Sequence, residues 1–489
     1  MSNKTLSTGL SLVFVSMVLA GCASYSGLTT EGQRLDEKNL KASQSLEGVN
    51  ITPAAWPEKN WWRRLGDTQL DGLIDEALRD SPDMQMAAAR AHQAAAAAGA
   101  ADAARMPTLD AGADVSRSRL ARAQDPAGQG GRYSTERDLN LTFNYTFDLW
   151  GGQRDTWEAA LGQARAAEVD SQAARLTLAA DVARGYSNLA HAYSVRDLAN
   201  DDLKRTRQML ELSQRRLQAG IDSHYQYQQT ESLEASSQEQ LINAEKQLKS
   251  ARIALAVLLG KGPDRGADIA RPNVLLPAAV AVPSTLPAEL LGRRPDLIAA
   301  RWRVEAASKN IAAAKTRFYP NLNLTAAAGT QSLLGDALFG SASRFFNIAP
   351  AVSLPIFDGG RLRAGLDAED ANYDLAVAQY NKTLVAALGD VSDSLDQLSA
   401  LGRQISTQQR AADIAQESYN TGLQRYESGI GNYLDVLSIE QQLLQAQRQL
   451  ADLNAEQIDL SIQLMQALGG GYEPGNTAAA VPTQASPAE

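Results

Sequence analysis

The segment beginning at Ser81, SPDMQMAAARAHQAAAAAGAADAARMPTLD, returns 213 residues later as RPDLIAARWRVEAASKNIAAAKTRFYPNLN, beginning at Arg294. Pro82 and Pro107 fall on Pro295 and Pro320 at that offset. FDLWGGQR meets FDGGRLR with Asp148 against Asp358, and RLQAGIDSHYQYQQTE meets RYESGIGNYLDVLSIE with Gly220 on Gly429 and Glu231 on Glu440. The match continues without a gap to Leu259-Gly260 over Leu468-Gly469. The chain is a tandem duplication, so whatever it folds into is built twice from one plan. The repeats are expected at 70–260 and 283–470, with a linker at 261–282, where the proline-rich run RPNVLLPAAVAVPSTLP begins.

Each half carries the same order of elements. A helix of about 25 residues ends at a proline (Pro107, Pro320), which cannot continue it. Two alternating segments follow, around 108–118 and 138–149 in the first half and around 321–331 and 345–357 in the second. Then comes a very long helix, about 155–219 and again about 364–427, a glycine turn (Gly220; Gly429 and Gly431) and a further helix of about 35 residues. At ~1.5 Å per residue the long helices reach on the order of 95 Å, far beyond the average helix of a globular protein. Their apolar positions are mostly Ala and Leu spaced three and four apart, as in LKRTRQMLELSQRRL, which suits helices packed side by side along their length.

The alternating segments constrain the environment. In DLNLTFNYTFDLW the odd positions Leu139, Leu141, Phe143, Tyr145, Phe147 and Leu149 are apolar or aromatic, and the even ones between them are polar. A strand of about 10–11 residues with two unlike faces has the length to cross an outer membrane at a tilt, and Leu139, Leu141, Phe143, Tyr145 and Phe147 are its expected lipid-facing residues. Four strands cannot close a barrel, and open sheet edges are not tolerated in lipid, so several copies of the chain are required; three give twelve strands. Pro350 within the fourth segment predicts a shortened or bulged strand.

The N-terminus points the same way. Lys4 precedes the apolar run LSLVFVSMVLA, then Gly21 and Cys22, a pattern of export too short for a spanning helix. LAGC resembles a bacterial lipobox, so residues 1–21 read as a lipoprotein signal, Cys22 as the acylated residue and 22–69 as an acylated N-terminal tail, with a flexible tail at 471–489. Cys22 is the one cysteine, which excludes an internal disulfide. The net charge of −10 argues against nucleic-acid partners. Three histidines and one cysteine leave almost no material for a metal site, and no nucleophile motif, phosphate loop or dinucleotide fingerprint is present. No cofactor and no catalytic residue are expected.

Taken together, LAGC, NWWRRLGDTQLDGLIDEAL (from Asn60), RRPDLIAARWRVEAASKNIAAAKTRFYPNLNLTAA (from Arg293), LPIFDGGRLRAGL (from Leu354) and SIQLMQALGGGY (from Ser461) resemble the TolC/OprM superfamily of outer-membrane efflux factors, in the NodT-type lipoprotein branch. FDLWGGQR and RRPDL are similar to the fusaric-acid and multidrug resistance members. The resemblance implies a mainly α chain with membrane β: a homotrimer with a twelve-strand β-barrel in the outer-membrane lipid and a twelve-helix α-barrel in the periplasm. It implies a passive duct for drugs or other small toxic compounds, served by a periplasmic adaptor and an inner-membrane transporter of the RND, major-facilitator or aromatic-acid type. It also implies a constriction at the helical turns, onto which RYESGIGNYLDVLS places Tyr426 and Asp435, with Arg425 able to pair across helices. The family's arginine in this turn is replaced by Gly431, a second aspartate by Ser438, and Gln226 stands where the first turn would carry an acid, which puts an intersubunit salt-bridge network in doubt. Two other readings stand beside efflux: the duct of a protein or peptide secretion system, and a structural lipoprotein without a pore. The second leaves the duplicated strand pairs unexplained, and an enzyme lacks any site.

Overall fold

The computed structural model describes residues 24–36, 40, 52–53, 56–119, 121–124, 131–277, 281–282, 292–333, 338–431 and 433–473. The signal segment, Cys22 and the C-terminal tail beyond Glu473 lie outside the described residues. In the first half α1 (Thr68–Asp80) and α2 (Pro82–Ala103) precede strands β1 (Thr108–Arg119) and β2 (Tyr133–Phe147), the long α3 (Gly152–Gln218) and α4 (His224–Leu258). In the second half α5 (Pro295–Thr316), β3 (Asn321–Ser332), β4 (Arg344–Ser353), α6 (Arg361–Glu427) and α7 (Tyr433–Ala467) repeat the order. The equivalent helices have equal lengths: 22 residues for α2 and α5, 67 for α3 and α6, 35 for α4 and α7.

The chain divides into two compact units. One comprises the described residues of 24–34, 91–167 and 300–380 and holds the sheet, ordered β1-β2-β3-β4 and antiparallel throughout. Its register gathers apolar side chains on one face along the middle of the sheet. Leu141 lies opposite Ala111 and Ala328, Phe143 opposite Leu109 and Ala326, Tyr145 opposite Leu324, and Phe147 opposite Leu322; β4 adds Phe346, Ile348, Pro350 and Val352 to that face. The other face carries Asn140, Thr142, Asn144 and Thr146 beside Asn323 and Thr325, with Thr146 donating to Asn323 at 2.8 Å and Thr325 to Asn144 at 3.3 Å.

The fourth strand is shortened, as Pro350 predicts, and the start of β2 differs from expectation. β4 stops at Ser353, short of 357, with Pro350 on an edge strand where a missing N–H is tolerated. β2 starts at Tyr133, five residues before 138, because Glu136 and Arg137 are both charged although the pleat sends them to opposite faces; two adjacent charges conceal a period of two. Where strand becomes helix, the duplicated aspartates do one job twice. Asp148 accepts from the backbone of Gln153 (3.0 Å) and Arg154 (2.9 Å), and Asp358 from Gly360 (3.0 Å) and Leu362 (2.8 Å), so each satisfies orphan donors at the start of a 67-residue helix. In the same unit the segment from Ser24 lies along α6: Tyr25 packs edge-on against Phe318, and Asp374 accepts from the backbone of Glu31 and Gly32.

The other unit comprises the described residues of 35–90, 168–299 and 381–473. Its core gathers Trp61, Trp62, Leu70 and Ile74 with Val182, Tyr186 and Leu189 of α3, Leu255 of α4, Leu395 and Leu398 of α6 and Leu460 and Leu464 of α7. Fully buried side chains of this size stabilise by ~1.5–3 kcal/mol each. Asp67 caps α1 through Gln69 N–H and also accepts from the Tyr186 hydroxyl (2.6 Å) and Asn273 N–H (2.9 Å). Burial pushes its carboxyl up, but these donors outweigh burial and hold it below the usual carboxylate value.

Candidate functional site

The two helical turns lie in this second unit. α3 unwinds at Gly220 (φ +73°), whose N–H reaches Leu217 O at 3.0 Å while Ile221 N–H reaches Arg216 O at 2.9 Å. α6 unwinds in the same way at Gly429 (φ +78°), with Ile430 N–H on Arg425 O at 3.1 Å. Glycine at both positions supplies the left-handed conformation that ends a helix. The second turn then tightens further: a Cβ on Gly431 would lie 2.8 Å from the Tyr426 backbone nitrogen, so no side chain fits there. The equivalent position of the first turn is Asp222, and its carboxylate crosses to the second hairpin.

That crossing builds a buried latch. Tyr426, 1 % exposed, donates its hydroxyl to Asp222 Oδ2 at 2.8 Å. Arg216 donates Nε to Asp222 Oδ1 at 3.1 Å and Nη1 to the Tyr426 carbonyl at 3.3 Å, and its guanidinium lies 4.4 Å from the Tyr426 ring centre. Beside it Tyr433, also 1 % exposed, shares a 2.6 Å hydrogen bond with Thr230. α3 is thus tied to α6, and α4 to α7. Burial, with the Asp222 carboxylate alongside, pushes the Tyr426 phenol far above its ordinary value, so it remains a donor. A buried, hydrogen-bonded charge pair of this kind is costly to break from one side, ~3–5 kcal/mol.

Of the residues expected to form a constriction, the structure therefore places Tyr426 among Arg216 and Asp222. It does not bring it to Arg425 or Asp435. Arg425 is exposed on α6, and Asp435 is exposed in the first turn of α7. Gln226 serves the helix start: it forms a capping box with Ser223. The signal for the missed pair was the repeat itself, since the offset that carries Gly220 onto Gly429 carries Arg216 onto Arg425 and Asp222 onto Gly431. Among the described residues no group of three or more His, Cys, Asp or Glu stands close enough to hold a metal.

Strands that part apolar from polar side chains, run directly into helices far too long for a packed globule and end in latched turns, define one class of protein: the protomer of an outer-membrane channel that projects into the periplasm. The chain belongs to the outer membrane efflux protein family, whose profile matches residues 73–261 and 286–470. It is similar to the fusaric acid resistance protein FusA of Burkholderia cepacia, 36% identical over 370 residues covering 74% of this chain and 69% of that one. It is also similar to the multidrug resistance outer membrane protein MdtP of Escherichia coli K12, 29% identical over 490 residues covering 97% and 99%. Among solved structures it resembles the outer membrane protein VceC of Vibrio cholerae, with a TM-score of 0.79 at 37% identity over 86% of this chain and 100% of that one. Channels of this kind are homotrimers that work with periplasmic adaptors and inner-membrane pumps.

Proposed function

We propose that this efflux channel is the passive duct of a tripartite pump for small toxic compounds, aromatic acids and drugs among them. The observation that carries the reading is a sheet whose middle levels have one apolar face, with the Asn and Thr side chains and all the acids of the strands on the other, between two unpaired edges. A wall of that kind closes only with copies of itself, and its closed form has lipid outside and water inside. The face of Leu139, Leu141, Phe143, Tyr145 and Phe147 is the lipid face. Cys22 carries the acyl anchor. The Tyr426–Asp222–Arg216 latch holds each protomer's two helical hairpins together in the closed channel, and the adaptor acts by binding the released form better. The relatives' names support the substrate class; the pump is of the RND, major-facilitator or aromatic-acid type. Conductance in planar bilayers tests the duct: discrete channels from purified trimers are expected, and silence from folded trimers would defeat the reading. Susceptibility of a deletion strain to aromatic acids and to unrelated drugs, repeated in deletions of the adjacent genes, identifies the cargo and the pump.

A further inference from the structure

The face assigned to lipid is free of charge until its last few levels. There it carries Arg117 and Arg119 on β1, Arg137 on β2 and Arg344 on β4, and no carboxylate. The acids of the same strands, Asp110, Asp114, Glu136 and Asp138, all occupy the other face. Arg137 lies opposite Val115 and Ser332, while Arg117 and Arg344 sit one level to either side, about 7 Å along the strand. Tyr133 stands between Arg117 and Arg119, their guanidinium carbons 5.3 and 5.8 Å from its ring centre, and Arg119 also donates to Gly131 O at 2.9 Å. Arginines at consecutive levels of a face that carries no acid form a band.

Its height is set by the strand. Arg137 is ten residues from Phe147, about 34 Å along β2, or roughly 26 Å along the membrane normal at the usual ~40° tilt. An outer-membrane barrel carries an apolar band ~25 Å tall bordered by aromatic side chains, so Arg137 falls at its edge and Tyr133 in its aromatic border. The opposite ends of the strands run into the periplasmic helices, which makes this edge the one facing the cell exterior. The lipid headgroups at that level belong to the outer leaflet, which in an outer membrane is a phosphorylated glycolipid. Guanidinium matches phosphate oxygens in a bidentate geometry and holds its charge at any pH.

We propose that Arg117, Arg119, Arg137 and Arg344 form a phosphate-binding band for the outer-leaflet glycolipid, fixing the depth of the barrel in the membrane. This rests on the lipid-face reading above, and the test separates the two. Detergent-purified trimers are exchanged with bisphosphorylated lipid A, dephosphorylated lipid A or phosphatidylglycerol, and bound lipid is counted by native mass spectrometry. Wild-type trimers should retain the bisphosphorylated form at least tenfold better than either alternative, and Arg117→Gln/Arg119→Gln/Arg137→Gln/Arg344→Gln should abolish that preference. Equal retention of the two lipid A forms by the wild type overturns the proposal without any variant, as does unchanged retention by the fourfold variant or equal retention of phosphatidylglycerol. Displacement of lipid A by millimolar inorganic phosphate would assign the band to free phosphate and overturn it likewise. The face itself is tested separately with tryptophan at 143 or 144 in brominated lipid. Quenching at 143 and not at 144, together with no lipid A preference, removes the band alone; no quenching at 143 removes the face reading with it.

Discussion

At the scale of single residues the latch is the most informative feature, because its parts are unequal. Tyr426→Phe deletes one hydrogen bond to a charged group and leaves Asp222 paired with Arg216, an expected loss of ~1.5–3 kcal/mol. Asp222→Ala strands a buried guanidinium and should cost more, ~3–5 kcal/mol. Single-channel conductance and entry of vancomycin into cells should rise in that order, wild type below Tyr426→Phe below Asp222→Ala, while Asp435→Ala, at an exposed position, should behave like the wild type. A reversed order, with trimers intact, would move the gate elsewhere. The motif drew attention to Tyr426 and not to Asp222: acids were sought at Asp435 in the second turn and at Gln226 in the first, whereas the acid that meets Tyr426 lies four residues before Gln226, at the position that Gly431 occupies in the other repeat. Which of two repeats carries a side chain is decided by contacts between them, and a single strand of text does not display those.

At the scale of elements, periodicity read the helices well, since 67 residues of Ala, Leu and charged residues have no other regular conformation open to them. It read β2 poorly at its start, where Arg137 precedes the strand's own run of apolar residues on that face, Leu139 to Phe147. Phe143→Arg should impair insertion by ~2–4 kcal/mol for a charge at mid-depth, and Asn144→Arg, one residue on, should assemble normally; folded heat-modifiable trimers on electrophoresis report both. The helix pairs hold a second test. Glu440 on α7 is 3 % exposed, near Asp202 and Arg205 of α3, with Arg205 Nε 3.7 Å from its carboxylate and the Asp202 carboxylate taken up by Ser237 at 2.8 Å. Burial, and then the Asp202 charge against the pull of Arg205, raise its carboxyl to about 7. A raised value in the folded state means this site contributes most below the ordinary carboxylate value and loses that contribution as pH rises through about 7. Glu440→Gln should thus gain stability over the wild type between pH 5 and pH 8, by an amount on the order of 3 kcal/mol at the upper end, seen as a thermal midpoint that no longer falls with pH.

At the scale of the whole molecule, anchoring and assembly separate. Cys22→Ser should abolish labelling by radioactive palmitate while trimers remain in the membrane, because the barrel is itself embedded. The two unpaired edges, β1 and β4, make a stronger demand. A lone protomer offers both to any partner and cannot close its polar face off from lipid, so the wall is complete only with two companions. The genetics follow from that. Where a defective allele is expressed beside an intact one in equal amounts, only about one trimer in eight is free of the defect if subunits mix at random. A substitution that spoils the duct after assembly should therefore be dominant, whereas one that prevents strand pairing should be recessive, and a merodiploid strain distinguishes an assembly lesion from a conduction lesion before any protein is purified.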